Sequence, residues 1–165
     1  MKSLAISALG LVSVLYVFSL SAIAAAGDKI TGGADSVLAG GISISLTANA
    51  VVTGNGSIKG HIQYSREAQT SAVELYVHAV AECMWISADG TSAVVAGPAT
   101  VQSNPNGAPT ADWFVIAIRE GGTGAGDEVR AIFATEADGL LKCQNGETSF
   151  PGEVLEGNFT LRKAL

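Results

Sequence analysis

Apolar and small polar residues alternate with a period of two through most of the chain. From residue 27 onward no window holds apolar residues at helical spacing for three turns. Ile42, Ile44, Leu46, Ala48, Ala50 and Val52 share one face of a strand, and Thr53-Gly54-Asn55-Gly56 follows with turn residues that accept positive φ. The next run sets Ile58, Gly60, Ile62 and Tyr64 against Lys59, His61 and Gln63. After a loop over residues 66–70, Val73, Leu75, Val77 and Ala79 point one way, and Glu74, Tyr76 and His78 the other. Asp89-Gly90 lies between Met84-Trp85-Ile86-Ser87 and Ser92-Ala93-Val94-Val95-Ala96, a strong hairpin signal.

Residues 102–111 carry Pro105 and Pro109 with Asn104, Asn106 and Gly107 and read as a loop. Strands follow over 113–118 and 128–135, separated by Gly121-Gly122-Thr123-Gly124-Ala125-Gly126. A short strand over 140–143, a loop over 144–152 and a last strand over 158–161 complete the reading. One helical turn over 34–39 is the only helix expected, inside a flexible lead over 27–41. Seven to nine short strands at spacings of roughly ten residues predict an all-β fold, a single antiparallel barrel or sandwich.

The first 26 residues do not join that pattern. Lys2 precedes an almost wholly apolar run that fades into Ser21-Ala22-Ile23-Ala24-Ala25-Ala26. Small residues fill the −3 and −1 positions for a cut after Ala26, and equally for a cut after Ala24. This is the build of a cleavable signal peptide over residues 1–26, leaving a single all-β domain over 27–165. The alternative is a retained anchor, since residues 4–26 could cross a ~30 Å hydrocarbon core. Four serines dilute the run, and its end is small rather than aromatic. The expected location is therefore secreted, periplasmic or extracellular, with no membrane attachment once the leader is gone.

The whole chain carries a net charge of −6, and loss of Lys2 makes the domain more acidic still. No basic cluster offsets that balance, so nucleic acid and anionic membrane surfaces are excluded as partners. Two cysteines remain, Cys83 and Cys143. An even pair in an oxidising compartment is expected to form a disulfide, whose loop closure contributes about 4 kcal/mol. Free thiols or metal ligands are the alternative, with no CxxC spacing or neighbouring His to support them.

Four stretches occur in a telling order. They are Gly56-Ser57-Ile58-Lys59-Gly60-His61-Ile62-Gln63-Tyr64; Val77-His78-Ala79-Val80-Ala81-Glu82-Cys83 with its Asp89-Gly90 hairpin; Phe114-Val115-Ile116-Ala117-Ile118-Arg119-Glu120-Gly121-Gly122 ahead of Gly126-Asp127-Glu128; and Gly157-Asn158-Phe159-Thr160-Leu161 after Cys143. Together they resemble a loosely defined family of exported bacterial all-β domains of unknown function. The resemblance implies export, an all-β fold and a Cys83–Cys143 bond, and it brings no catalytic residue. Where similar proteins tend to carry an Asp-Asn-Gly-type turn, this chain has Arg119-Glu120-Gly121-Gly122.

The glycine-rich loop is the sharpest chemical candidate, because Glu120, Asp127 and Glu128 flank a backbone free to fold around Ca²⁺. Its spacing matches no EF-hand, and a plain hairpin connection explains it as well; the Lys-Ser/Thr ending of a phosphate loop is absent. His61 and His78 could approach each other across paired strands and hold a metal, or be solvated strand residues. No serine sits in a Gly-x-Ser-x-Gly elbow. Asn55-Gly56-Ser57 and Asn158-Phe159-Thr160 match the glycosylation triplet, which also arises by chance. The aromatic residues are either core or the lining of a barrel mouth. The expectation is a non-enzymatic exported domain without cofactor, an envelope or extracellular interaction module for a protein or envelope component. The alternative is a carrier of a small apolar ligand, which needs an enclosed cavity where the module needs a filled interior.

Overall fold

The computed structural model of the protein describes residues 24–38, 41–68, 74–104, 112–121 and 126–164. It contains β1 (Lys29–Leu38), β2 (Ile42–Val52), β3 (Ile58–Ala68), β4 (Glu74–Val80), β5 (Cys83–Ile86), β6 (Ser92–Asn104), β7 (Trp113–Arg119), β8 (Asp127–Ala134), α1 (Glu136–Gln144) and β9 (Glu153–Arg162). All strand pairs are antiparallel, in the order β4-β3-β2-β1-β9-β8-β7-β6-β5, and β4 also pairs with β6. That last ladder closes eight strands into a barrel, with β5 as an extra strand beside β6. Of the two expected architectures, barrel and sandwich, the chain adopts the barrel.

Closure depends on one irregularity. Ala79 pairs with Ala99, but Cys83 pairs with Ala96, so three residues on one side face two on the other. β4 and β5 are thus one long strand interrupted by a bulge at Ala81 and Glu82. The Ala81 N–H turns to the Gly60 carbonyl, and the Glu82 N–H to that of Ala96. Gly97 makes this possible, because a Cβ there would lie 1.7 Å from the Val80 carbonyl oxygen.

The alternation read from the sequence decides what faces inward. Ile44, Leu46, Ala48, Ala50 and Val52 of β2 are all buried, as are Ile62 and Tyr64 of β3. With Ile30, Ile116, Ile118, Val129 and Leu155 they fill the barrel interior. β7 departs from alternation: Trp113 to Ile118 are buried on both faces. The reason is a second layer outside the barrel. Trp113, Val115 and Ala117 of β7, with Val94 and Ala96 of β6, pack against Cys143, Phe150 and Leu140 on or near α1.

Two elements overturn the sequence reading. Residues 140–143, expected as a strand, lie within α1. Thr135 caps its N-terminus by accepting the Asp138 N–H at 3.3 Å. At its end the Gly146 N–H reaches the Cys143 carbonyl and the Glu147 N–H that of Lys142, with Gly146 at φ +61°. Those two bonds form a Schellman stop. Residues 29–38, expected as a flexible lead with one helical turn, form β1, held between β2 and β9 along most of its length. The other strands lie where the pattern places them, although β3 and β6 run into segments expected as loops. No helix among the described residues is long and apolar enough to cross a membrane.

Candidate functional site

α1 covers the outside of the barrel over β5, β6 and β7, and among the described residues the side formed by β9, β1, β2, β3 and β4 carries no second layer. Strand register arranges the outward side chains of that bare side in rows. Thr47, Gln63, His78 and Thr100 form one row, and Ser45, Ser65, Tyr76 and Gln102 form the next. These eight residues line a trough of about 400 Å³. A second hollow of about 420 Å³ shares Ser45 and Ser65 and continues to Ser43, Val37, Asp35 and Glu67. β2 contributes Ser45 and Thr47 to the trough, β3 Gln63 and Ser65, β4 Tyr76 and His78, and β6 Thr100 and Gln102. Tyr76 keeps 40 % of its surface exposed, and its hydroxyl approaches Glu67 at 3.4 Å.

His61 and His78 do come together, as strand pairing would allow. They sit diagonally on β3 and β4 with ring centroids 5.9 Å apart and planes 17° from parallel. Stacked rings direct their in-plane nitrogens past each other rather than at a common point. Among the described residues no third His, Cys, Asp or Glu joins them to make a metal-holding group.

The acidic residues of the glycine-rich loop have separate tasks. Asp127 is buried, and its carboxylate accepts the Gly121 N–H at 3.2 Å and the Phe159 N–H. β8 begins at Asp127, opposite Gly157, while β9 runs on to Arg162. The carboxylate thus accepts a backbone N–H of β9 two residues beyond Gly157, where the pairing with β8 ends. Glu128, one residue on, points to the other face and pairs with Arg130 Nε at 2.7 Å. Glu120 is exposed, with its N–H on the Thr91 carbonyl at 2.9 Å. Residues 122–125 of this loop lie outside the described residues.

Cys83 and Cys143 are joined, with a Cα–Cα distance of 6.2 Å, and the bond fastens α1 to β5. Asn55 stands in the β2–β3 turn, its side chain bonded to Ser57, and Asn158 pairs with Gly33 inside β9. At the end of the barrel away from Asp28, Tyr64, Phe114 and Phe133 form an aromatic chain with centroids 5.3 and 5.0 Å apart. They line a cavity of about 360 Å³ with Arg66, Leu75 and Ile132. Trp85 and Trp113 are not part of it; both lie in the layer beneath α1.

One site escaped sequence reading. Asp28 is wholly buried, and its carboxylate accepts the Ala25 and Ala164 N–H groups, each at 2.7 Å, and Lys163 Nζ at 3.0 Å. Burial by itself would raise its pKa, but the three donors prevail and hold it below the usual carboxylate range. Nothing around Gly27-Asp28-Lys29 marks this site, because two of its three donors, Lys163 and Ala164, follow β9 and are remote in sequence. No family model matches the protein, and neither a curated protein nor a solved structure matches it.

Proposed function

We propose that this protein is an exported, non-enzymatic interaction module that binds an envelope or extracellular component through the bare outer face of β2, β3, β4 and β6. The observation that carries the reading is the trough of about 400 Å³ on the one side of the barrel that α1 leaves uncovered. Ile30, Ile44, Leu46, Ile62, Ile116 and Ile118 cluster in the barrel interior, which supports an interaction module over a carrier. The disulfide and the apolar, small-ended leader support a location outside the cytoplasm.

Co-sedimentation of the purified domain with cell-envelope fragments tests the reading. Wild type is expected in the pellet and the Thr47→Arg variant in the supernatant; equal pelleting of both would remove the face from consideration. A second reading, the carrier of a small apolar ligand, draws on the aromatic cavity of about 360 Å³ at one barrel end. A Phe133→Trp reporter titrated with fatty acids separates the two, because only a carrier changes its emission.

A further inference from the structure

We propose that the trough takes a neutral oligosaccharide chain laid across the strands; this rests on the reading of the bare face as the binding surface. The polar groups along it are the hydroxyls of Ser45, Thr47, Ser65 and Thr100 and the amides of Gln63 and Gln102. Each of these groups both donates and accepts hydrogen bonds, as a sugar hydroxyl does. No carboxylate, ammonium or guanidinium lines the trough, although the chain as a whole carries −6. An ionic ligand would be desolvated there without a counter-charge, whereas an uncharged polyol exchanges water for equivalent bonds.

Tyr76 and His78 lie in adjacent rows on β4 and add ring faces to the polar rows. The aliphatic C–H face of a pyranose packs on such rings while its rim of hydroxyls reaches the neighbouring amides. The dimensions favour a chain over a single sugar. The uncharged trough runs from β6 across β4 and β3 to β2, and the carboxylates of Asp35 and Glu67 line the adjoining hollow instead. Three interstrand steps of about 4.8 Å make the trough roughly 14 Å long.

The same face suits a polypeptide poorly. Strand addition needs an open edge, and the β4–β6 ladder closes the barrel beneath the trough. Interfaces between proteins are centred on buried apolar and aromatic anchors, and Tyr76 is the single large ring exposed among the trough residues.

Affinity electrophoresis in gels containing β-1,4-glucan, chitin, α-1,4-glucan, xylan or mannan tests the proposal directly. Wild type is expected to be retarded by at least one of them, equally at low and high salt, since no charge pairs form. Gln63→Ala and Tyr76→Ala are each expected to weaken retardation about tenfold while the melting temperature stays at the wild-type value. Leu141→Ser, on exposed α1 across the barrel, is expected to bind as wild type does.

Retardation by none of these polymers overturns the proposal, and so does retardation that Gln63→Ala and Tyr76→Ala leave intact. The envelope assay then tells which step failed. Capture that Thr47→Arg abolishes, and that protease treatment of the fragments destroys while periodate oxidation of their vicinal diols does not, assigns the face to a protein partner. Capture that Thr47→Arg leaves unchanged defeats the face reading itself.

Discussion

Replacing Asp28 by asparagine exchanges one carboxylate oxygen for an amide NH₂ at a place where three donors converge. The Ala25 and Ala164 N–H groups and Lys163 Nζ all point at this side chain, and none of its surface is exposed. The variant keeps one acceptor, turns a donor toward a donor, and leaves the Lys163 ammonium without its counter-charge. Removing one partner of a buried pair costs about 3–5 kcal/mol, and a hydrogen bond to a charged group contributes about 1.5–3 kcal/mol. Lys163 is partly solvated, at 24 % exposure, so the lower end applies and we expect a loss of about 3 kcal/mol at pH 7.

In urea this is a midpoint lower by roughly 1–2 M with an unchanged slope. The sign with pH follows from the depressed folded pKa. The stabilisation is complete well above the ordinary value of 3.8 and disappears as pH falls through the lower folded value. The gap between wild type and Asp28→Asn should therefore close in acid. A gap that stays constant from neutral pH to the acid limit would refute the account, because it would then owe nothing to the carboxylate's charge. The same site distinguishes the two candidate leader cuts. A chain begun at Gly27 lacks the Ala25 N–H on Asp28 and the Ala25 carbonyl that accepts the Asp28 N–H at 2.9 Å. We expect it to be less stable than one begun at Ala25 by about 1–2 kcal/mol.

Reduction of Cys83–Cys143 opens a loop with a sequence separation of 60 and is expected to cost about 4 kcal/mol, with faster amide exchange in α1 than in β2 and β3. An unchanged urea midpoint in reductant would contradict this. Gly97→Ala places a methyl group 1.7 Å from the Val80 carbonyl oxygen and forces the β4–β5 bulge open, so we expect a loss above 3 kcal/mol. Gly54→Ala meets nothing within 4 Å and should stay within about 0.5 kcal/mol of wild type in the same denaturation series.

What the chain declares locally, it declares well. The β2–β3 hairpin follows directly from Ile44 to Val52, the turn at Asn55-Gly56 and the alternation from Ile58, and the ladder runs unbroken from Ile42↔Ala68 to Val52↔Ile58. α1 was legible too, but in its caps rather than its apolar residues. Thr135 with Asp138, and Gly146 after Asn145, mark start and stop, whereas Leu140 and Leu141 in isolation imitate a strand. β1 could not be read because its cause is remote. Gly32 and Gly33 weaken any local tendency to extend, and pairing with β2 and β9 on its two sides imposes the strand. Gly32 in turn is required by that pairing, since a Cβ there would lie 2.3 Å from the Asn158 carbonyl oxygen. Barrel closure likewise depends on a one-residue bulge, which the sequence shows only as a change of inward phase from Val77, Ala79 and Ala81 to Met84 and Ile86.

The trough shows why binding residues on a sheet escape a reading made strand by strand. Thr47 on β2, Gln63 on β3, His78 on β4 and Thr100 on β6 each occupy the polar phase of an ordinary alternation, where solvent accounts for them completely. Only register sets them in one row, and only the position of α1 makes that row different from the rest of the barrel surface. β7 shows the converse. Its unbroken apolar run is the mark of a strand covered on both faces, so the run from Trp113 to Ile118 already names the side of the barrel that carries a second layer. The strands with strict alternation and hydroxyl or amide outer phases, β2 and β3 above all, then have to form the open side. Read together, the outer phases of all strands separate a covered half from a bare one, and on the bare half the two rows of the trough carry no ionised side chain, whereas Asp35 and Glu67 line the hollow beside it. A surface that replaces charge with Ser, Thr and Gln gives up a simple means of solubility, and a ligand that needs those hydroxyls and amides is the physical reason we assign to it.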